Sequence, residues 1–436
     1  MSKQELFDKF LEYMVRFASI NAIVALKDGF ILTLPLTLVG SLFLLVACFP
    51  IAGWGELMAG IFGAGWTAPL FQVSSATFNI LAILSVLGIT YKYCEAEECD
   101  AITASMLALA AFLTLTRGSV LTKAGEVVGG VIPGQWVGGN GVITAIIVSL
   151  VTSWIFCYCE KHKIGFKMPE GVPQGVAKAF AALVPGFFIL AGACIIYAVC
   201  MLVSMKTVPE LIFAVLQIPL QNVTDTLIGG VIIAGLQSVL FWAGIHGPNI
   251  VGGVMNPILM ANSLDNQALL DAGKQLIGNP QAKLITIQVT DIFIKGGGCG
   301  LTMGFLIAAF IAAKSAQMKS ISKLAFIPGL FNINEPIIFG LPIVFNPYFI
   351  IPFIGVPVVA IIITYLALAT GFMTPFAAVQ VPWTTPPIIA GFLVGGWQGA
   401  IVQLATIIMS AIVYFPFMKV QDNIYYKEEK STAANK

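Results

Sequence analysis

The sequence predicts an all-α, polytopic transmembrane protein with about ten membrane-crossing helices, two re-entrant hairpins and an N-terminal amphipathic helix. Three observations predict it. Of 436 residues, 58% are hydrophobic and only 10% charged, where soluble domains run near 45–50% and 25%. Mean hydropathy is +0.93. Apolar runs long enough to cross a ~30 Å hydrocarbon layer recur along the whole chain.

At the N-terminus, Leu6, Phe7, Phe10, Leu11, Met14 and Phe17 recur at helical spacing, with Lys3, Asp8, Lys9, Glu12 and Arg16 between them. That pattern fits a helix lying in the membrane interface, not a cleaved signal peptide. The crossing segments follow at Phe30–Phe49, Ser74–Tyr93, Ala101–Thr116, Val142–Tyr158 and Ala181–Met201. They continue at Leu227–Ile245, Cys299–Ala313, Tyr348–Ala369, Pro387–Trp397 and Ala400–Phe417. Gly395 and Gly396 barely separate the last two. The polar tail after Lys419 is expected to fray.

Charge orients the chain in part. Lys161, Lys163, Lys167 and Lys178 mark Glu160–Lys178 as cytoplasmic by the positive-inside rule, and both termini are expected on that side. Ile51–Pro69 carries two tryptophans and no Lys or Arg, which suits the outer face. Lys314, Lys319 and Lys323 break simple alternation, so the stretch from His246 to Lys323 is predicted to be more complicated than plain crossings.

Two segments read as broken hairpins. One runs from His246-Gly-Pro248-Asn249 to Asn256-Pro257, the other from Asn334-Glu335-Pro336 to Asn346-Pro347. Helix-breaking backbone at membrane depth is tolerated where protein buries it or where it lines a cavity, and paired interruptions point to a transport site. Glu335 is the most informative residue, because a carboxylate in an apolar stretch is costly and faces a cavity or a partner. A helix-end Glu reaching the interface is the alternative reading. Asn332 and Asn334 beside it make an amide-rich patch suited to hydroxyls. His246 follows Phe241-Trp242 in the other broken segment, where a structural, hydrogen-bonded imidazole competes with a functional one. Trp383 and Asn140 pair an aromatic face with a directional amide, although each Trp also fits as an interfacial anchor.

Several classes are excluded or disfavoured. A net charge of +1 makes no electrostatic case for nucleic acid. No Walker A motif, zinc spacing or serine-triad pattern is present, so neither metal nor cofactor is expected. Gly296-Gly297-Gly298 reads as a flexible run, not a phosphate cradle. The eight cysteines lie mostly in or beside apolar runs and read as packing residues.

The run Phe331-Asn-Ile-Asn334-Glu335-Pro336, the Trp242–Pro248 motif and the overall layout resemble the membrane component EIIC of bacterial phosphotransferase systems (PTS) over nearly the whole chain. The likeness is to the lactose/cellobiose/diacetylchitobiose branch. It implies a multi-pass homodimer in the bacterial cell membrane, translocating a β-linked disaccharide of diacetylchitobiose or cellobiose type. It implies phosphorylation of the sugar C6 hydroxyl by a separate, cysteine-phosphorylated EIIB, itself charged through EIIA, HPr and EI. Residues 1–225 would form the dimerising domain, 226–420 the substrate domain and 421–436 a cytoplasmic tail. Glu335 would accept the hydroxyl proton and His246 would bind a neighbouring hydroxyl or steady the phosphoryl group. Asn334, Asn140, Trp383, Asn249 and Trp242 would complete the sugar site. A proton- or sodium-coupled carrier releasing unmodified sugar, with Glu335 as coupling carboxylate, is the competing reading.

Overall fold

The computed structural model describes Arg16 and residues 19–49, 51, 53–121, 126–166, 168–169, 172–244, 246–341, 343–344, 346 and 348–434. The amphipathic helix expected over Leu6–Phe17 lies almost wholly outside the described residues. The chain divides into two compact units. One comprises residues 1–40, 72–222 and 253–261, the other 41–71, 223–252 and 262–436.

The first part of the chain forms α1 (Asn21–Ile31), α2 (Leu34–Ala47), α3 (Trp54–Phe62), α4 (Ala68–Phe78), α5 (Leu81–Ala96) and α6 (Ala101–Leu115). An antiparallel hairpin follows, β1 (Ser119–Leu121) with β2 (Val127–Gly129), in the register Ser119↔Gly129. Then come α7 (Gly134–Val137), a 3₁₀ turn (Gly139–Gly141), α8 (Val142–Lys161), α9 (Gln174–Ala181), α10 (Leu183–Ser204) and α11 (Val208–Ile212). A π turn (Phe213–Gln217) leads into α12 (Ile218–Thr224). Small residues decide the packing of this unit, as in membranes generally, where backbones approach most closely through glycine and serine. A Cβ on Gly29 of α1 would lie 2.4 Å from the Ile89 Cα of α5. Ser149 of α8 shares its hydroxyl between Ala145 O (2.6 Å) and Val86 O of α5 (3.3 Å). At the polar ends, the Asp100 carboxylate caps α6 by accepting from Thr103 N and Oγ1. Glu97 accepts from Asn21 Nδ2 (2.5 Å) and pairs with Lys161. All eight cysteines are free thiols.

The second part contains α13 (Leu227–Trp242), α14 (Gly247–Asp271), a π turn (Val289–Phe293), α15 (Met303–Ala312), α16 (Ala316–Leu330), α17 (Glu335–Gly340), α18 (Ile350–Ala369) and α19 (Ile389–Ala434). Among the described residues, six helices are long and apolar enough to cross a membrane. A seventh arises if the α11–α12 and α13 stretches, bent by 79°, form one broken span. The short apolar helices α6 and α15 account for the remaining predicted segments, and Gly396 (φ 63°) divides α19 between the ninth and tenth. At 10 residues α15 rises only ~15 Å, half a hydrocarbon core, so it does not make a simple crossing.

Two expectations are corrected. The first hairpin was predicted to end at Asn256-Pro257, but α14 is continuous over 25 residues with Pro257 inside it. Loss of one N–H is a local cost that packing tolerates, and the actual break is the His246 corner between α13 and α14. The tail does not fray. α19 runs to Ala434, where Glu429 accepts from Ala316 N and Gln317 N. Asp422, fully buried, accepts from Lys314 N, Ser315 N and Ser315 Oγ. The acidic side chains that looked like solvated tail satisfy the orphan donors at the start of α16.

Candidate functional site

α16 stops at Leu330 and the chain turns into α17 through Phe331–Asn334. Asn332 adopts φ 62°, a conformation asparagine tolerates better than most residues. Its Oδ1 accepts from Gly297 N (2.8 Å), and its Nδ2 donates to Trp383 O (2.6 Å) and Thr385 O (2.9 Å). One side chain thus ties together three loops. Asn334, 3% exposed, donates from Nδ2 to Cys299 O (2.6 Å) and Thr302 Oγ1 (3.1 Å). Its own carbonyl receives Ile337 N and Ile338 N, and so starts α17.

Glu335 is the first residue of α17 and its side chain is exposed. An enclosed carboxylate was the expectation; the structure instead buries the neighbour Asn334 and leaves Glu335 accessible. The reason is local. Asn334 is anchored inward as N-cap, and Pro336 presets the first helical turn, so residue 335 projects away from the anchor. A carboxylate at a helix N-terminus also meets the positive end of the peptide dipoles.

Gly297, Gly298 and Gly300 hold φ values of +81°, +103° and +86°. The run was read as flexible, yet residues 296–306 are all buried. A Cβ on Gly298 would lie 2.4 Å from Asn334 Cγ. The glycines here allow backbone to wrap the Asn334 amide, which is a packing requirement and not mobility. Tyr414 Oη and Ser410 Oγ of α19 pin the same loop through Gly300 O (2.8 Å) and Leu301 O (2.7 Å).

The second group of candidates sits at the α13–α14 corner. His246 is the exposed N-cap of α14, with Nδ1 accepting from Asn249 N (3.3 Å) and the ring 4.8 Å from that of Phe241. In neutral imidazole that bond leaves the proton on Nε2. Asn249 is exposed one turn along. Trp242 is buried and donates its indole N–H to Asn346 O (2.9 Å), so it braces the segment after α17. Trp383 is 54% exposed. The two groups share Cys299, whose carbonyl takes Asn334 Nδ2 while its Sγ lies 4.0 Å from Gln237 O of α13. Asn140 belongs to the first unit, half-buried in the 3₁₀ turn before α8, where Gly139 O accepts from Gln217 Nε2.

Sequence reasoning missed the bracing roles of Asn332, Cys299 and Gly298. It also missed Gln403, which accepts from Ile388 N (2.6 Å) and Gly391 N (2.8 Å) and donates to Ile292 O (3.0 Å). A lone amide in an apolar helix is the signal that would have found it.

The fold and this braced, accessible carboxylate define an integral membrane transporter with a polar site built from interrupted helices. The chain belongs to the family described as "Phosphotransferase system, EIIC", which matches residues 27–357. It is 39% identical to the lichenan permease IIC component of Bacillus subtilis (strain 168), over 98% of this chain and 95% of that one. It is 37% identical to the PTS system cellobiose-specific EIIC component of Geobacillus stearothermophilus, over 97% and 95%. The crystal structure of the transporter ChbC, the IIC component from the N,N'-diacetylchitobiose-specific phosphotransferase system, superposes with a TM-score of 0.90 at 38% identity, covering 95% of this chain and 96% of that one. The protein is therefore a sugar-specific PTS permease that acts with an EIIB component.

Proposed function

We propose that this chain translocates a β-linked disaccharide of diacetylchitobiose or cellobiose type and presents its C6 hydroxyl to phospho-EIIB, with Glu335 accepting the hydroxyl proton. The observation that carries this reading is the contrast within one dipeptide. Asn334 is buried and spent on Cys299 and Thr302, whereas Glu335 is exposed at the first turn of α17. A carboxylate that meets a substrate has to be reachable while its backbone stays put, and this arrangement supplies both. His246, with Nε2 as donor, would hold a neighbouring hydroxyl or the anionic phosphoryl group, where positioning and charge stabilisation dominate the rate. Trp383 and Asn249, exposed, suit direct sugar contact. Asn334 and Trp242 act by bracing the site. The names of the relatives support the substrate class. The proposal extends to a homodimer formed through residues 1–225, a substrate domain at 226–420 and both termini on the cytoplasmic side.

The test is reconstituted uptake. Vesicles holding the protein should accumulate sugar 6-phosphate only with phosphorylated EIIB, and mass spectrometry of the purified protein should find a bound β-linked disaccharide. Glu335→Gln should keep binding within a few-fold while transfer falls by ~100- to 10,000-fold, the usual worth of general-base help. Accumulation of free sugar on a pH gradient alone would overturn the reading.

A further inference from the structure

A cavity of about 550 Å³ lies in the first unit where α8, α9 and α10 end or begin. Four charged residues line it, and their partners divide them sharply. Both acids are engaged by backbone: Glu160 accepts from Asp100 N (3.0 Å), and Asp100 accepts from Thr103 N (3.4 Å). Neither Lys163 nor Lys178 has an ion-pair partner among the described residues. Those backbone donors leave both carboxylates charged, so the lining balances in formal charge, and the two ammonium groups are the charges left without a bonded counter-group among the described residues.

Local structure holds one of these lysines in an unusual place. α8 ends with Ile164 N bonding Cys159 O (2.8 Å) and Lys163 N bonding Glu160 O (3.1 Å), a helix stop that normally puts glycine at the residue between. Lys163 occupies it with φ 56°. A side chain is retained where none is sterically preferred. Gly165 then packs against Ala181 O, closing one wall between the α8 end and α9.

The rest of the lining is apolar and leads away from the charges. Phe156 and Pro185 are buried in the wall, while Ile164 and Phe166 are 40% and 58% exposed. Pro185 belongs to α10, whose next turns leave Phe187 and Phe188 exposed at 69% and 55%. Two ammonium groups and the start of an exposed apolar helix thus border one pocket, the combination that a phospholipid's headgroup and acyl chains require.

We propose that this cavity binds an anionic phospholipid, its phosphate between Lys163 and Lys178 and its acyl chains along the start of α10. Lysine binds phosphate as a point charge, and a basic residue near a membrane surface is worth about five-fold in affinity for anionic lipid. The site lies in a different unit from Glu335 and does not depend on the transfer mechanism.

The test is native mass spectrometry of the purified full-length protein with phosphatidylglycerol or phosphatidylcholine of the same acyl chains. The wild type should retain phosphatidylglycerol preferentially. Lys163→Gln and Lys178→Gln should each lower that preference about five-fold, and the double variant should nearly abolish it. Lys163→Arg should preserve most of the preference, and Lys206→Gln should leave it unchanged. Equal retention of the two lipids, or an unaltered double variant, overturns the proposal. Displacement of phosphatidylglycerol by millimolar glycerol 3-phosphate, which lacks the acyl chains, also overturns it and assigns the cavity to soluble phosphate esters.

Discussion

Asn332 offers the sharpest separation of backbone from side-chain effects. Its amide makes three hydrogen bonds, to Gly297 N, Trp383 O and Thr385 O, while its backbone sits at φ 62°. At a net ~1 kcal/mol each, discounted for partial exposure, the bonds contribute about 2–3 kcal/mol. A residue with a Cβ and no locally bonding polar group pays roughly 1 kcal/mol more at that φ than glycine does. Asn332→Gly should therefore lose about 2–3 kcal/mol, and Asn332→Ala about 1 kcal/mol beyond that. Asn332→Asp would turn an oxygen toward two carbonyls and fall near the alanine variant. Denaturant unfolding of the detergent-solubilised protein, followed by tryptophan fluorescence, reads all three, and Trp383 is a reporter attached to the affected loop. EIIB-dependent phosphorylation should fall in the same order, because the loops carrying Glu335 and Trp383 lose their common tie. A glycine variant as stable as wild type would refute the bracing role. An alanine variant no worse than glycine would refute the backbone part alone.

Two further outcomes follow from packing and charge. Gly298→Ala adds a Cβ 2.4 Å from Asn334 Cγ at φ +103°; a cost on the order of 3 kcal/mol should abolish transfer and lower the yield of folded protein in size-exclusion chromatography, and a normal variant would show that the loop yields after all. The Glu97 carboxyl is held below its ordinary range by Lys161 first and then by Asn21. Its folded pKa lies below the unfolded value, so its stabilisation is present above the ordinary carboxylate pKa of ~4.3 and is lost as pH falls through the depressed one. The stability gap between wild type and Glu97→Gln should be small, flat from pH 8 to about pH 5, and close below that; a gap that widened on acidification would contradict the assigned pairing.

How much was legible beforehand depended on what kind of signal each feature carries. Membrane helices announce themselves through composition, which is why each predicted apolar segment falls on helical sequence, but composition does not mark breaks: Ser74–Tyr93 straddles the gap between α4 and α5. The Asn-Glu-Pro run stood out because a carboxylate among apolar residues is expensive, yet the sequence did not tell that Asn334 would be buried and Glu335 exposed. What composition cannot convey is partnership across distance. Nothing local to Asn332 says that its amide reaches Gly297, 35 positions away, or that Asp422 closes the start of α16 from 107 positions away. The same blindness made the glycine run at 296–298 look loose: glycine permits mobility in open space and tight approach in a packed one, and the sequence does not say which surrounds it. Pro257 misled for the opposite reason, since a residue that opposes helix locally is overridden when both flanks are already packed.

Glu335 poses a question about precision. Asn334 fixes the backbone on one side and Pro336 restrains it on the other, but the carboxylate itself stands at the end of an exposed, flexible side chain. If Glu335 acts as proposed, the protein positions the Cα and the substrate hydroxyl would complete the last few ångströms of the geometry on binding. On the proposed mechanism this makes side-chain length decisive. Glu335→Asp retains charge and basicity but withdraws the carboxylate by about one methylene, and a misplacement of ~1 Å in a reacting group costs on the order of 100-fold in rate. Its kcat for EIIB-dependent transfer should fall by that order while KM changes little, because the sugar's remaining contacts are untouched. If charge alone mattered, as for a carboxylate that merely attracts a cation or tunes the local field, aspartate would substitute almost fully. The ratio of the Asp to the Gln defect therefore separates a proton acceptor from a fixed charge: comparable losses in both variants identify the former, and a near-normal Asp variant beside an impaired Gln one identifies the latter.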